Sequence, residues 1–338
     1  MLYIKRVFHI LLLITFLVGC NTNPLDVDVS HVSIDMPINR LEKQMQDYDL
    51  DQPEAYQENL LKKYGDFYNL YIQRVLQLGH VQDPALVYSI KEYLNDPVIA
   101  KMFDAVDSSF ADLQVEESLI KEGFQHYKYY FPEAKLPLVA TFVTNFNYNV
   151  VAADSALGIG LEMYLGSDNQ FYKNIGMPEY RSATADRVYM PYDAVRGWVL
   201  SEFEGSMDGQ DLLSLIIGYG KTMYLMDACF PNDQDYLKIR YTKDELNWCE
   251  MSEWSIWSAI LDADILYSTD SDVIRAYTGE GPFTPGMPKE SPSRIGLWLG
   301  WQVVRSYMKE HPETSIPQLM RLTNAQEILQ QSGYKPTK

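Results

Sequence analysis

The pattern of apolar positions divides the chain into three parts. In residues 36–131 apolar residues recur near the 3.6-residue period of an α-helix, and Pro53 and Pro84 stand where first helical turns would begin. Residues 137–165 lose that period, and residues 191–338 regain it. The pattern predicts an α+β, predominantly helical protein, with a small antiparallel sheet (about residues 137–165) packed against helices.

The strand prediction rests on two runs rich in Val, Phe, Thr and Tyr, at residues 138–146 and 157–165. The turn-prone pair Asp154-Ser155 lies between them, so two or three antiparallel strands are expected. Gly158 and Gly160 in the last strand indicate a bulge or a close approach of another part of the chain.

The segments after residue 191 are apolar on all sides, which predicts buried helices rather than helices with one solvent face. Thr242 and Glu245 have the spacing of a capping box ahead of one of them. The most apolar helix is predicted over Arg294–Met308. Gly296 and Gly300 are four residues apart in it, and this spacing would let another backbone pack closely.

The N-terminus has the features of a bacterial lipoprotein signal peptide. Lys5 and Arg6 form a charged region, residues 7–18 an apolar run, and small Gly19 precedes Cys20. The run is shorter than the roughly 20 residues that span a bilayer. We predict a signal peptide over residues 1–19 and lipidation at Cys20, the alternative being an ordinary secretory signal that happens to end in cysteine.

Residues 20–35 contain Pro24, spaced acidic residues and no helical period, and they are predicted to form a flexible tether. Residues 36–338 show no repeat and no Gly/Pro/Ser-rich linker, so a single globular domain is expected. The formal net charge is −18, which excludes nucleic acid as a partner because phosphate binding needs Lys and Arg. The lipid, rather than a basic patch, would hold the protein at the bilayer.

The residues that would carry catalysis are missing. Beyond the signal the histidines lie far apart, and no nucleophile elbow or Cys-x-x-Cys motif is present. Gly220-Lys221-Thr222 lacks the glycine that a phosphate-binding loop needs five residues earlier. We therefore predict no catalytic residue, no metal site and no cofactor. Cys229 and Cys249 could form a disulfide outside the cytoplasm, but buried free thiols are the commoner outcome in apolar helices.

Three arginines lie in otherwise apolar surroundings and are candidates for structural ion pairs or for partner binding. They are Arg196, Arg294 and Arg305, and the carboxylates considered as their partners are Glu202, Glu253 and Asp227. Glu202 and Lys221 are further candidates for a structural or partner-binding role. Arg294 and Arg305 are eleven residues apart, about three helical turns, so they are expected on nearly the same face of one helix.

Long aromatic-rich strings in the second half resemble the gliding-motility-associated lipoproteins of the GldB type from Bacteroidetes. The strings are GLEMYLG at 160–166, GKTMYLMDA at 220–228, YT at 241–242 with Trp248, IW at 256–257 leading to LYS at 266–268, SPSRIG at 291–296 continuing to Met308, and SGYKP at 332–336. The resemblance runs from the lipidation motif to the end, although the helices before residue 130 match only in pattern.

That family resembles, more distantly, zinc peptidases in which a strand precedes a metal-binding helix. Here the corresponding helix, around residues 191–206, carries Glu202 and no histidine. The later helix has Tyr219-Gly220-Lys221 where those enzymes have Glu-Gly. The resemblance implies a degenerate zincin-like architecture without its metal. It also implies a membrane-anchored, non-enzymatic component of the gliding or associated secretion machinery, with other envelope proteins as partners. Asp26 and Asp28 are dispersed, unlike the compact acidic run of surface-exported lipoproteins in similar Bacteroidetes systems, so the body is expected to face the periplasm. The alternative is a degenerate hydrolase or peptide-binding protein with a groove beside the strand ending at Leu165.

Overall fold

The structure, a computed structural model, describes residues 23–153, 155–203 and 205–338. The predicted signal peptide and Cys20 lie outside the described residues. The fold class is confirmed, since helices dominate and one small sheet packs against them.

The sheet has four strands in the order β1-β2-β4-β3. They are β1 Ile38–Arg40, β2 Leu138–Phe142, β3 Val150–Ala153 and β4 Ala156–Gly160. The antiparallel sheet predicted from sequence is wrong in its pairing: β2 lies parallel to both β1 and β4, and only the β3–β4 hairpin is antiparallel. Strand β3 occupies the edge of the sheet. Strand β4 therefore lies between β3 and β2, and it runs in the same direction as β2.

The helices before the sheet follow the predicted pattern, with α2 beginning at Pro53 and α4 two residues after Pro84. They are α1 Leu41–Gln46, α2 Pro53–Tyr64, α3 Asp66–Leu70 with a π-helical turn at Tyr71–Val75, α4 Leu86–Asn95, α5 Pro97–Ser109 and α6 Gln114–Tyr130. Between the sheet and Met190 lie two short α-helices, α7 Gln170–Asn174 and α8 Glu179–Ser182, and two 3-10 helices at Leu161–Tyr164 and Arg187–Tyr189.

The helices of the last part form most of the main core. They are α9 Met190–Phe203, α10 Leu212–Cys229, α11 Asp235–Ile239, α12 Lys243–Asp262, α13 Ser271–Thr278, α14 Ile295–Glu310, α15 Ile316–Arg321 and α16 Ala325–Ser332. The capping box at Thr242 and Glu245 is confirmed at the start of α12. Cys229 and Cys249 are buried free thiols.

The sheet separates two apolar clusters, as the two-residue period of a strand requires. Ala140 and Phe142 of β2 face a cluster built mainly from α1 to α4. Val139 of β2, with Leu157 and Ile159 of β4, belongs to the larger cluster formed with the later helices. The close approach predicted at the β4 glycines is confirmed at Gly160, where an added Cβ would lie 2.2 Å from the carbonyl oxygen of Tyr148.

Helices α10 and α14 cross at backbone distance. A Cβ on Gly300 would lie 1.9 Å from the carbonyl oxygen of Ile216, and one on Gly220 would lie 2.3 Å from the carbonyl oxygen of Gly300. The prediction that the Gly296/Gly300 face meets another backbone is therefore confirmed. Because the helices touch here, side chains beyond the crossing point can meet across them.

Residues 23–35 contain no helix or strand and lie against the body. The Asn23 side chain donates to the carbonyl oxygen of Pro231, and that of Gln125 on α6 donates to the carbonyl oxygen of Val32. The flexible tether over residues 20–35 and the single-domain boundaries stay predictions. Among the described helices, none has both the length and the apolar character needed to cross a membrane.

Candidate functional site

A chain of ion pairs joins four helices in the interior of the last part, and we call it the charged network. Helix α9 contributes Asp193 and Arg196, α10 contributes Asp227, and α14 contributes Arg305. Asp235 and Lys238 belong to α11, and Arg240 follows that helix directly. Charges in an apolar interior are stable only when paired and hydrogen-bonded, and each of these has such a partner.

At one end of the network, Arg305 binds two carboxylates. Its Nε and Nη2 donate to the two oxygens of Asp227 at 2.8 and 2.7 Å, and its Nη1 and Nη2 donate to Asp235 at 2.6 and 3.0 Å. Lys238 also donates to Asp227, at 3.0 Å, as does the indole Nε1 of Trp301, at 2.9 Å. The guanidinium of Arg305 lies 3.8 Å from the centre of the Trp301 ring.

The electrostatics at this end favour fully charged side chains. Burial alone would raise the pKa of Asp235, but Arg305 and Lys238 outweigh it and hold that pKa below its usual value. Burial would lower the pKa of Arg305, but the hydrogen bonds that it donates to Asp227 and Asp235 raise it instead. Asp235 and Arg305 are therefore both charged near neutral pH.

At the other end, Asp193 bridges two arginines. It accepts from Arg196 and Arg240 and, at 2.8 Å, from the hydroxyl of Tyr164. Arg196 also donates to the backbone carbonyl of Lys238 at 2.5 Å, which links the two ends. Arg196 is thus paired as expected, but with Asp193 of its own helix rather than with Glu202, Glu253 or Asp227.

The predicted relation between Arg294 and Arg305 is wrong. Arg294 is not within the helix but is the N-cap of α14, with a left-handed backbone (φ +59°), so the face assignment fails. Its Nη2 donates to the backbone oxygen of Arg240 at 2.9 Å, and its guanidinium lies over the ring of Tyr241. Within the described residues it forms no ion pair, unlike Arg305.

The three other residues considered from the sequence, Glu202, Glu253 and Lys221, lie apart from the network. Glu202 is exposed on α9, and Glu253 accepts from the hydroxyl of Tyr334 at 2.6 Å. Lys221 is fully buried, and burial lowers its pKa to about 8. Its Nζ donates to the carbonyl oxygens of Met320 and Leu322 at 3.3 and 2.6 Å, so it caps the C-terminal end of α15.

Sequence reasoning missed Asp193, Asp235, Lys238 and Arg240. The signal that could have found two pairs is i,i+3 spacing on a helix, which relates Asp193 to Arg196 and Asp235 to Lys238. Arg240 has a left-handed backbone (φ +59°), as Arg294 does. The partners of these two arginines lie far from them in sequence or on another element, so no local pattern reveals them.

Glu162 is another buried acidic residue and does not belong to the network. It follows β4, its Oε1 accepts from the backbone nitrogen of Thr144 at 2.8 Å, and its Oε2 has no hydrogen-bond partner in the part of the chain that the structure describes. Burial raises its pKa to about 7, and the hydrogen bonds from Thr144 offset only part of that rise. It is therefore partly protonated near neutral pH.

We expect Glu162→Gln to remove a pH dependence of folding. The native pKa lies above the unfolded value of 4.5, so the folded protein loses stability as the pH rises from about 4.5 to about 7. Glutamine keeps the acceptor for Thr144 without the charge. Chemical denaturation across this range should show the variant gaining stability over the wild type with rising pH, up to about 3 kcal/mol. The exposed Glu250 supplies the control Glu250→Gln, and equal pH dependence in all three proteins would contradict the assignment.

An open apolar cavity of about 590 Å³ lies between α9, α10 and the start of α14. Leu200, Phe203, Leu215, Tyr219 and Leu297 line it, together with small residues of the α9–α10 loop. Leu165 is not among the residues that line this cavity, so the groove proposed from the sequence beside that residue is a different place. The strand expected to end at Leu165 ends at Gly160, and Leu165 forms an isolated bridge with Asp186. Among the described residues no group of three or more His, Cys, Asp or Glu side chains could hold a metal ion.

The comparison with protein families gives one match, which covers nearly the whole chain. A family model for GldB lipoproteins, described as gliding motility protein GldB, matches residues 22–336. No curated protein and no solved structure matches the chain. The match includes both clusters of the core, the charged network and the crossing of α10 with α14. The chain therefore belongs to the GldB family of gliding motility proteins.

Proposed function

We propose that this protein is a non-enzymatic, lipid-anchored component of the gliding machinery, or of the secretion machinery associated with it, and that it acts by binding other envelope proteins. Family membership implies involvement in gliding motility and is consistent with the cell envelope. The lipid on Cys20 would hold the protein on its membrane, and the body would face the periplasm.

The charged network is the observation that carries the non-enzymatic part of the proposal. Catalytic acids and bases need access to substrate and a pKa near the working pH. Asp193, Asp227 and Asp235 instead have their oxygens occupied by arginine, lysine, tyrosine and tryptophan donors. Such a network fixes the relative positions of four helices, which suits a rigid body that presents a binding surface.

Metal analysis of the purified protein tests this proposal. A non-enzymatic GldB protein should contain far less than one zinc per chain after dialysis without chelator. A zinc peptidase needs a histidine- or carboxylate-bound ion. Stoichiometric zinc that survives dialysis would contradict the proposal.

We expect Cys20→Ser to release the protein from membranes without unfolding it. Acyl chains on Cys20 would supply the anchor, and the acidic body offers no basic patch to replace them. After cell fractionation the variant should be found in the soluble fraction rather than in the membrane pellet. Its melting temperature should equal that of the wild-type protein. A variant that stays in the pellet after a high-salt wash would refute the lipid anchor.

A second candidate function is peptide binding by a degenerate hydrolase, and the apolar cavity between α9 and α10 favours it. The cavity is large enough for several side chains, and the apolar Leu215 on its wall is 42% exposed. Zinc content separates a metallopeptidase from the first candidate. A metal-free peptide-binding protein would belong to the first class, since it too acts through protein contacts.

A further inference from the structure

We propose that Arg294 binds a carboxylate group of a partner protein in a small cleft beside the N-terminus of α14. This deepens the proposed function, on which it rests, by naming the chemistry of one contact. The residues that line the cleft include Asn149, Arg181, Thr184, Arg240, Ser293 and Arg294, and also the acidic Glu245 and Glu280.

Arg294 differs from the other cations of the cleft in having no carboxylate partner among the described residues. Arg240 is paired with Asp193, and Arg181 lies 3.7 Å from Glu280. Arg294 uses one nitrogen, Nη2, to donate to the backbone oxygen of Arg240. A guanidinium carries five N–H donors, so most of its donor capacity remains for a ligand.

Ser293 provides a second polar group in the same cleft. The residue is 9% exposed and lines the cleft, and its hydroxyl makes no hydrogen bond to another described residue. Its backbone oxygen accepts from the hydroxyl of Tyr241 at 2.7 Å, which fixes the backbone beside Arg294. The hydroxyl is therefore free to donate to a ligand or to solvent in the cleft.

The size and charge of the cleft select a carboxylate. Its cavity of about 40 Å³ takes a group of only a few non-hydrogen atoms. A planar carboxylate matches the guanidinium fork, with the Ser293 hydroxyl as an additional donor. The two glutamates that line the cleft have other partners: the Glu245 carboxylate accepts from the backbone nitrogen of Thr242 at the start of α12, and Glu280 faces Arg181.

The left-handed backbone of Arg294 allows a substitution that removes the guanidinium without new strain. Arginine at φ +59° is costlier than glycine there, so Arg294→Gly relieves backbone strain while it removes the hydrogen bond to Arg240 and the stacking on Tyr241. These effects oppose each other, and we expect the melting temperature without ligand to change by no more than about 2 °C.

The experiment measures the melting temperature of the full chain with sodium acetate against sodium chloride at equal ionic strength. Wild type should show a saturable increase, about 2 °C at ten times the dissociation constant, and Arg294→Gly should show none. Arg275, exposed and paired with Asp272, supplies the control Arg275→Gln, which should respond like the wild type. If Arg294→Gly fails to fold, Arg294→Asn, which also tolerates a left-handed backbone, and Ser293→Ala take its place.

Three acetylated alanine peptides then identify the source of the carboxylate: one with a free C-terminus, one amidated with a central aspartate, and one amidated without charge. Binding of the first or second, abolished by Arg294→Gly, supports capture of a C-terminus or of an acidic side chain respectively. Equal responses of wild type and Arg294→Gly, or no response of the wild type to acetate and to every peptide, would overturn the cleft proposal. That result would leave the lipid anchor and the absence of zinc standing, because fractionation and metal analysis test them separately.

Discussion

Gly300→Ala should destabilise the protein by about 3 kcal/mol or more, although it adds a single methyl group. That methyl carbon would lie 1.9 Å from the carbonyl oxygen of Ile216 and 2.4 Å from its carbon, well inside contact distance. The obstacle is helix backbone, which cannot move aside as a side chain can. Helices α10 and α14 would have to separate, and buried packing on both would be lost. The melting temperature should fall by many degrees.

A matched control for this variant is Gly218→Ala on α10, the same helix that Gly300 contacts. A Cβ there would meet only the side chain of Met207, at 3.0 Å, and methionine can adjust. Because alanine favours a helix over glycine by about 1 kcal/mol, Gly218→Ala should be neutral or stabilising. Equal melting temperatures for Gly300→Ala and Gly218→Ala would show that the crossing of α10 and α14 is not as close as described.

The local features of the fold could be predicted because short-range chemistry determines them. Pro53 begins a helix because a proline at the first turn has no amide hydrogen to leave unpaired. Thr242 and Glu245 satisfy the first amides of α12 within four residues. The Gly296 and Gly300 spacing predicted a backbone contact on that face, although not which helix would supply it.

The pairing of the strands could not be predicted in the same way. Strand β1 has three residues, too few to show a period of two, and it pairs with β2 about one hundred positions later. The direction of β4 relative to β2 depends on β3 occupying the sheet edge. Hairpins are the commonest arrangement of neighbouring strands, so the antiparallel expectation followed from local signals, while the parallel pairing depends on contacts far apart in sequence.

The charged network could be predicted only where one member of an ion pair stands out in the sequence as a charge among apolar residues. Arg305 stands out in an apolar helix, and Asp227 was among its candidate partners. Asp235, Lys238 and Arg240 lie in and after a five-residue helix, where charged residues ordinarily indicate a solvated surface. Lys238 is buried and the other two are partly buried because α11 packs against α9 and α10, and nothing within those residues predicts this packing.

Asp227→Asn should cost about 3 to 5 kcal/mol, the range expected when one partner of a buried ion pair is removed. The Asp227 side chain is 8% exposed and neutralises both Lys238 and Arg305. Asparagine keeps the shape and one acceptor, which the indole of Trp301 can still use, so the loss measures charge rather than packing. Among the described residues, Asp235 would remain as the only carboxylate paired with these two cations. Because buried pairs are screened little by salt, the loss found by urea denaturation should persist at high ionic strength.

The control is Asp272→Asn, which removes the exposed pair with Arg275 and should cost less than about 1 kcal/mol. If both asparagine variants lost the same small amount, the charged network would not stabilise the fold, and Arg305 would become a candidate for partner binding beside Arg294.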